Sequence, residues 1–450
     1  MKKYYFEVWG CQMNEADVLM ACRRLNYAGF TQTANIDEAD IILLETCCVR
    51  DKPEHKIYSR LGELRYLREQ NPELLIGVLG CMAQKEGHDI LRKAVLPVNL
   101  VVSPRNLSRL PEIISKCYKS GKAQVILGID GDIAETPEVY CTAENERNLK
   151  TFVNIIEGCN YCCTYCVVPS VRGRFTSRNP ADIVDEVKYL TDCGVKEVTL
   201  LGQSVLAYGR DKKRAFNVVT LFEKLSAIEG LKRIRFTTNH PIEVTDEIIA
   251  AVRDMPKVME HFHMPLQAGN DWLLQTMKRA YTVAKYEDLL LKMRETIPGL
   301  SVTSDIIVGF PGETDEMFDE CIETYSRLKL DQQFMFAYSP RPGTPAAIMP
   351  NQVLHKTKIE RLSKVVELQN NISVAINERE LGNPIEVMLE GPSKTDKSKW
   401  AGRTRNDKMV ILDAEGKNFA VGDIIMVTPA SAHMWGFSAI LGVDRSLRSL

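Results

Sequence analysis

The first 118 residues alternate between short apolar runs and longer amphipathic stretches. YYFEVWG, ADIILLET, PELLIGVLG and VNLVVS are apolar on both faces. ADVLMACRRLNYAGF, a polar helical stretch ending near Glu69, and NLSRLPEIISKCYKS read as helices. Strands without in-and-out alternation, separated by helices, predict an open parallel sheet covered on both sides. Residues 119–150, with GIDGDIAETPEVY and TAENERNLK, are polar and without helical period, and predict a connector. From Thr151 the alternation resumes in TFVNIIE, KEVTLL, LKRIRFTT, HFHMPL, LSVTSDIIVGF and DQQFMFAYS, with helical segments between them. Six such repeats fit a partial (β/α)6 barrel. A long helix is expected from about Leu354 to Glu380, and LGNPIEVMLEGP, KMVILD and DIIMVTP then predict a small all-β module. The expected architecture is α/β: an open parallel sheet over 1–118, a connector over 119–150, a barrel core over 151–380 and an all-β module over 381–450.

Composition narrows the partners. The 450 residues are 45% hydrophobic, with a formal net charge of -2. A near-neutral chain offers no global attraction to a polyanion, so nucleic-acid binding must rest on a local patch. MKKYYFEVWGCQ lacks the apolar core of a signal peptide, and no apolar run approaches the ~20 residues that span a bilayer. The expectation is a cytoplasmic chain without a membrane partner. Its 13 cysteines then point to metal binding or catalysis rather than to disulfides.

Two sets of cysteines stand out. Cys11, Cys47 and Cys81 each follow a predicted parallel strand directly. Carboxyl ends of parallel strands share one edge of a sheet, where open α/β folds bind ligands. Three thiolates with no nearby histidine read as an iron–sulfur site with one iron open, and zinc, which wants a fourth ligand, is the competing metal. Buried apolar cysteines are the plain alternative. Cys48 neighbours Cys47 as a rival ligand, while Cys22 and Cys117, on predicted helices, read as packing residues. In the second set, EGCNYCCTYCVVP, Cys159, Cys163 and Cys166 have the spacing C-x3-C-x2-C, and Cys162 is the odd one. Such a loop holds three irons of a [4Fe-4S] cube and leaves the fourth open to a chelating small molecule. The alternatives are a disulfide and a zinc knuckle, and zinc would want a second cysteine pair or a histidine at metal spacing, neither of which lies close.

The second loop, on a barrel pattern, resembles that of the radical S-adenosylmethionine superfamily. Further motifs narrow the resemblance to the methylthiotransferase family: GCQMNEAD at 10–17, ETCCVRDK at 45–52, GCMAQ at 80–84, GCNYCCTYCVVPSVRGRFTSR at 158–178, TTNHP at 237–241, HMPLQAGND at 263–271, MKRAYT at 277–282 and DIIVGFPGET at 305–314. The resemblance spans nearly the whole chain. GCQMN and TYCVVP are most similar to the MiaB-type branch, which acts on tRNA; ribosomal-protein methylthiotransferases usually start GCPKN-like and the threonylcarbamoyladenosine branch GCKVN-like. The chain departs from the family at Cys48, where Ser is commoner, and at Cys162, where a non-ligand residue is.

The resemblance implies two [4Fe-4S] clusters, one on Cys11, Cys47 and Cys81 and one on Cys159, Cys163 and Cys166. It implies two S-adenosylmethionine molecules per turnover. One methylates a sulfur presented at the first cluster, and the other is cleaved at the second to a 5′-deoxyadenosyl radical that activates a C–H bond. The implied target is C2 of an N6-isopentenyl-adenosine beside the anticodon in a tRNA anticodon stem-loop. A flavodoxin-like electron donor, a sulfur donor, a monomeric state and a C-terminal TRAM domain that binds RNA complete the picture. Gly202 and Gln203 after the second barrel strand, and Thr238, His263, Gln267 and Gly309 at later strand ends, are candidate cofactor contacts. His261 shares a face with His263 but reads as structural.

Two basic patches are candidate RNA contacts: Arg172, Arg174 and Arg178 behind the cysteine loop, and Lys399, Trp400, Arg403 and Arg405 in the terminal module. Solvated basic turns are the alternative. Competing functions are methylthiolation of another modified adenosine or of a ribosomal-protein side chain and, in a different class, a non-catalytic iron–sulfur RNA-binding protein.

Overall fold

The computed structural model describes residues 1–48, 51–94, 97–129, 148–213, 215–413 and 417–441, without the side chains of residues 51–55. By internal contacts the chain divides into two units: Met1–Gly230 with Arg341–Ala347, and Leu231–Pro340 with Ile348–Leu450.

The first unit begins with a six-stranded parallel sheet. Its strands are β1 (Lys3–Trp9), β2 (Thr31–Gln32), β3 (Ile41–Thr46), β4 (Leu75–Gly80), β5 (Leu100–Val102) and β6 (Gln124–Ile126), in the order β2-β1-β3-β4-β5-β6. Both faces are apolar because both are covered. Ile42, Leu44, Ile76, Val78 and Val101 enter one core, and Ile41, Leu43, Leu75, Leu100 and Val102 enter the other. Successive side chains point to opposite faces, so an unbroken apolar run is what a doubly covered strand requires. Cys117 is buried in the second core, with Cys22 at its margin, as packing residues.

The connector expected at 119–150 is corrected at its start: β6 pairs with β5 and extends the sheet beyond residue 118. Three residues of strand amid polar neighbours are too short to stand out in a sequence. Residues 130–147 lie outside those described.

The barrel strands of this unit are β7 (Lys150–Asn154), the short β8 (Ile156–Glu157) and β9 (Thr176–Ser177), and β10 (Glu197–Leu201). β7 and β10 pair in parallel, and β8 and β9 pair antiparallel at the root of the cysteine loop. Met13 and Ala16, on the helix Gln12–Tyr27, pack with Leu201 and Phe152.

The second unit contains β11 (Arg233–Phe236), β12 (His261–His263), β13 (Ser301–Val308) and β14 (Gln332–Ala337); the last three form a parallel sheet. All six predicted barrel runs therefore carry strands. The helix His355–Glu378 then leads to β15 (Ile385–Pro392), β16 (Lys399–Thr404), β17 (Met409–Asp413), β18 (Ile424–His433) and β19 (Gly436–Leu441). These five close into a barrel, in the order β15-β16-β17-β19-β18, around Val387, Leu389, Val410, Leu412, Val427, Phe437 and Ala439. Two buried arginines of β11 fasten this module: Arg233 donates to the carbonyl of Arg403 at 2.9 Å and to Glu386 at 2.8 Å, and Arg235 to the carbonyls of Arg405 at 2.8 Å and Thr404 at 2.7 Å. Among the described residues no helix is long and apolar enough to cross a membrane.

Candidate functional site

Strand order sets the first cysteine group. After β1 the chain passes to β2 on one side and then to β3 on the other. The β1/β3 boundary is therefore the switch point at which an open sheet leaves a crevice beyond its carboxyl ends. In register, Trp9 lies opposite Thr46, and Thr46 opposite Gly80. Cys11, Cys47 and Cys81 follow these aligned ends on three adjacent strands. The Cys47 amide donates to the Trp9 carbonyl at 3.0 Å.

Cys11 caps the helix Gln12–Tyr27, with its amide 3.2 Å and its sulfur 3.3 Å from Asn14 Oδ1. Asn14 in turn donates to buried Glu45 at 2.8 Å. A hydrogen bond from the Cys47 thiol, against the opposing effect of burial and with help from the Arg172 charge, lowers the Cys11 thiol pKa to about 5. Cys81 is also held below its ordinary value, first by a hydrogen bond from Cys48, against burial, and then by Arg172. Cys48 is raised, first by that same bond to Cys81 and then by burial. Gly80, at φ +88, admits no side chain: a Cβ would strike the Glu45 carboxyl. Burial, and then the Asp17 charge, raise Glu45 well above the carboxylate range.

The second group lies on the loop between β8 and β9. Its entrance is Gly158, at φ +82, where a Cβ would strike the carbonyl of Arg174. The Cys159 amide donates to the Gly173 carbonyl at 3.0 Å, and the Cys166 amide to the Cys163 carbonyl at 3.1 Å. Cys159, Cys163 and Cys166 are half-buried, whereas Cys162 is exposed. Gln203 accepts from the Gly158 amide at 2.5 Å, and a Cβ on Gly202 would strike Ile156. Gln203 thus braces the loop from just beyond β10.

Both donor sets fit an iron–sulfur cube in their chemistry: three thiols each, two of the first set shifted toward thiolate. Among the described residues no three His, Cys, Asp or Glu side chains converge at single-ion spacing. A cube takes one thiolate per iron, so its ligands stand wider apart than those of one ion.

In the second unit, Thr238 and Gln267 both hold positive φ, +59° and +74°. A β-branched residue there is an outlier of the kind found at ligand clamps. The Gln267 amide donates to the Asp305 carbonyl at 2.9 Å. His263 lies 3.0 Å from the Thr303 hydroxyl and 3.4 Å from Asp305, and His261 also meets Thr303 at 3.0 Å, with donor roles set by the ring tautomers. Burial lowers the His261 pKa to about 4, so this ring stays neutral inside the unit, consistent with its structural reading.

Gly309, at φ +70, begins the GFPGE turn. Its amide donates to Glu313 at 2.9 Å, and Glu313 accepts from Arg361 at 2.7 Å. A Cβ on Gly309 would strike Lys358. Gly309→Ala is expected to destabilise the fold by about 1–3 kcal/mol, the cost of a strained backbone well, read as a lower urea midpoint. A neutral substitution would mean that the turn relaxes freely.

The first basic patch needs correction. Arg172 and Arg178 are 2% and 3% exposed, bound to carboxylates inside the first unit, and present no surface to RNA. Of that trio only Arg174 is exposed. In the β module, Arg405 grips Glu260 at 2.6 Å, and Arg403 pairs with Glu390 and Asp407 at 3.3 Å each. Trp400 packs edge-on to Phe419 at 5.9 Å, and Lys399 lies 3.9 Å from Asp396. Arg403 and Arg405 are half-buried in ion pairs, while Lys399 keeps a side chain that is 43% exposed. The sequence reading missed Trp435, 42% exposed and stacked on His433 with centroids 4.7 Å apart. Its signal was an aromatic at a glycine turn, HMWG. It also missed Asp17 and Glu157, the buried carboxylates beside the cysteines.

Comparison with known proteins gives the family. The radical SAM superfamily model matches residues 153–325, and that of uncharacterized protein family UPF0004 matches residues 3–103. Among solved structures, the radical S-adenosylmethionine methyltransferase TsrM from Kitasatospora setae, with cobalamin and a [4Fe-4S] cluster bound, superposes with a TM-score of 0.54 at 16% identity over 77% of each chain, a likeness of fold. Several curated relatives carry the name tRNA-2-methylthio-N(6)-dimethylallyladenosine synthase. That of Moorella thermoacetica is 43% identical over 96% of this chain and 97% of its own. That of Acetivibrio thermocellus is 41% identical over 96% of this chain and 90% of its own. At such identity over almost the entire length, the chain belongs to the tRNA-2-methylthio-N(6)-dimethylallyladenosine synthase family.

Proposed function

We propose that this protein replaces the C2 hydrogen of an N6-isopentenyl-adenosine, beside the anticodon of a tRNA, with a methylthio group. The observation that carries the reading is the grouping of Cys11, Cys47 and Cys81 on three adjacent strand ends, in the same unit as the C-x3-C-x2-C loop. When bound, two [4Fe-4S] groups and two S-adenosylmethionine molecules would supply the electron, the radical and the methylated sulfur that this C–H substitution needs. That C2–H is neither acidic nor electrophilic enough for ordinary acid–base attack.

The chain's own part is to hold and to bias. Cys159, Cys163 and Cys166 would hold one cluster on a loop that Gly158 lets close against Gly173 and Arg174, while Gln203 pins its entrance. Cys11, Cys47 and Cys81 would hold the other at the switch point. Thr238, His263, Gln267 and Gly309 offer polar and backbone groups at strand ends for the cofactor. Arg174 and Trp435 are exposed candidates for RNA contact beside Lys399, Trp400, Arg403 and Arg405, while Arg172 and Arg178 are buried and ion-paired.

Incubation of anaerobically reconstituted enzyme with S-adenosylmethionine, reductant and an isopentenylated anticodon stem-loop tests this reading. The RNA is expected to gain a methylthio group at that adenosine, with the unmodified stem-loop untouched. Modification of the unmodified RNA alone, or of a ribosomal protein instead, would overturn it.

A further inference from the structure

Arg172 is the feature that the reading above leaves unused. It ends the helix Val168–Arg172, which begins two residues after Cys166. Its guanidinium is buried, and its Nε donates to Cys81 Sγ at 3.3 Å. One terminal nitrogen donates to Glu157 at 3.0 Å and to Asp17 at 3.3 Å, and the other also donates to Asp17. Val167, which caps this short helix, and Val171 within it pack on Cys48 and Cys81. Arg105 clamps the helix end by donating to the Arg172 carbonyl at 3.0 and 3.2 Å. The helix that leaves the barrel cysteine loop therefore delivers a fixed positive charge and an N–H to a cysteine of the sheet.

We infer that Arg172 is a positioning residue that sets the reduction potential of the cluster on Cys11, Cys47 and Cys81, with Asp17 as its counterweight. The inference rests on the site reading that these cysteines hold a cluster. Hydrogen bonds to a ligating sulfur and nearby positive charge favour the more negative, reduced cluster and raise its potential; a nearby anion does the opposite. Arg172 supplies both favourable effects through Nε. Asp17 and Glu157 hold it in place and offset its charge, so the site keeps a chosen balance rather than a maximal one. A guanidinium suits the task because its donors are fixed in one plane and it stays charged when buried.

The test uses full-length protein with Cys159, Cys163 and Cys166 all replaced by alanine, so that only the sheet cluster is loaded. Its midpoint potential is read by electron paramagnetic resonance during a dithionite titration, without RNA. Arg172→Gln is expected to shift the potential downward and Asp17→Asn upward. A part that is merely structural would not move the potential in opposite directions. Equal potentials in both variants, or shifts of the same sign, would overturn the inference. Should Arg172→Gln fail to fold, Asp17→Asn decides alone, and an unshifted or lowered potential overturns it. No iron in the triple-alanine parent would overturn the site reading and this inference with it. Because no RNA is present, failure of the proposed substrate leaves the result standing.

Discussion

Replacing Cys47 with alanine is expected to abolish methylthio transfer and to remove about half of the bound iron, from about eight atoms per chain to about four, as for one of two cysteine-ligated cubes. Cys159→Ala is expected to do the same from the other site. The two losses are independent because the cysteines belong to separate elements, the end of β3 and the loop after β8. A cube short of one of its three thiolates keeps two irons without protein ligands and is lost on reconstitution. Cys162→Ala makes the contrast: an exposed side chain with only a weak 3.9 Å contact to the Asn160 carbonyl is expected to leave the iron content unchanged. Iron and sulfide counting on the three variants, with the parent alongside, checks all of this. Retention of full iron in Cys47→Ala would remove the sheet site from the account.

The largest expected loss of stability is at Glu186. Its two oxygens accept from Arg23 and Arg178, each at 2.7 Å, and all three side chains are at most 4% exposed. Burial opposes ionisation of Glu186, but the two guanidiniums overcome it and hold its pKa below the ordinary value. Arg178 also donates to the Asn154 carbonyl at 2.7 Å, at the end of β7. Arg23 lies on the helix Gln12–Tyr27, so this triad ties the sheet's first helix to the barrel strands of the same unit. Glu186→Ala leaves two buried cations facing each other. Removing one member of a buried ion pair costs about 3–5 kcal/mol, which at this unit's size lowers the melting temperature by on the order of 10 °C. Replacing Arg23, Arg178 and Glu186 together by apolar residues of similar volume is expected to recover most of the loss, since no uncompensated charge is left. A melting temperature for Glu186→Ala within a degree of the parent would contradict the buried network.

The cysteine groups were legible in the sequence because their signals are local. Each cysteine of the sheet set follows a short apolar or aromatic run bounded by helical stretches, and the loop spacing is compact. The parallel sheet, the six barrel strands and the β module were legible for the same reason, as runs apolar on both faces or bounded by turns. The arginines were misread because their role is not local. Arg172 and Arg178 stand in a basic, glycine-bearing segment that looks like a solvated loop. What buries them is Asp17, 155 positions away, and Glu186, eight positions on. Arg403 and Arg405 differ: they are half-buried, and the carboxylates that pair with them sit on β15 and at Glu260. Strand β6 was missed because three residues give no period to detect. Trp435 was passed over because one aromatic at a turn is common, and only its exposure and its stacking on His433 set it apart.

The central claim is a division of labour: the loop cysteines serve the cleavage of S-adenosylmethionine, and the sheet cysteines serve the transfer of sulfur. The direct measurement is the amount of 5′-deoxyadenosine and of methylthiolated RNA formed in one reaction by reconstituted Cys47→Ala enzyme. The account predicts 5′-deoxyadenosine without methylthiolated RNA. Methylthiolated RNA from that variant, or no 5′-deoxyadenosine while its loop cluster is fully loaded, would contradict it.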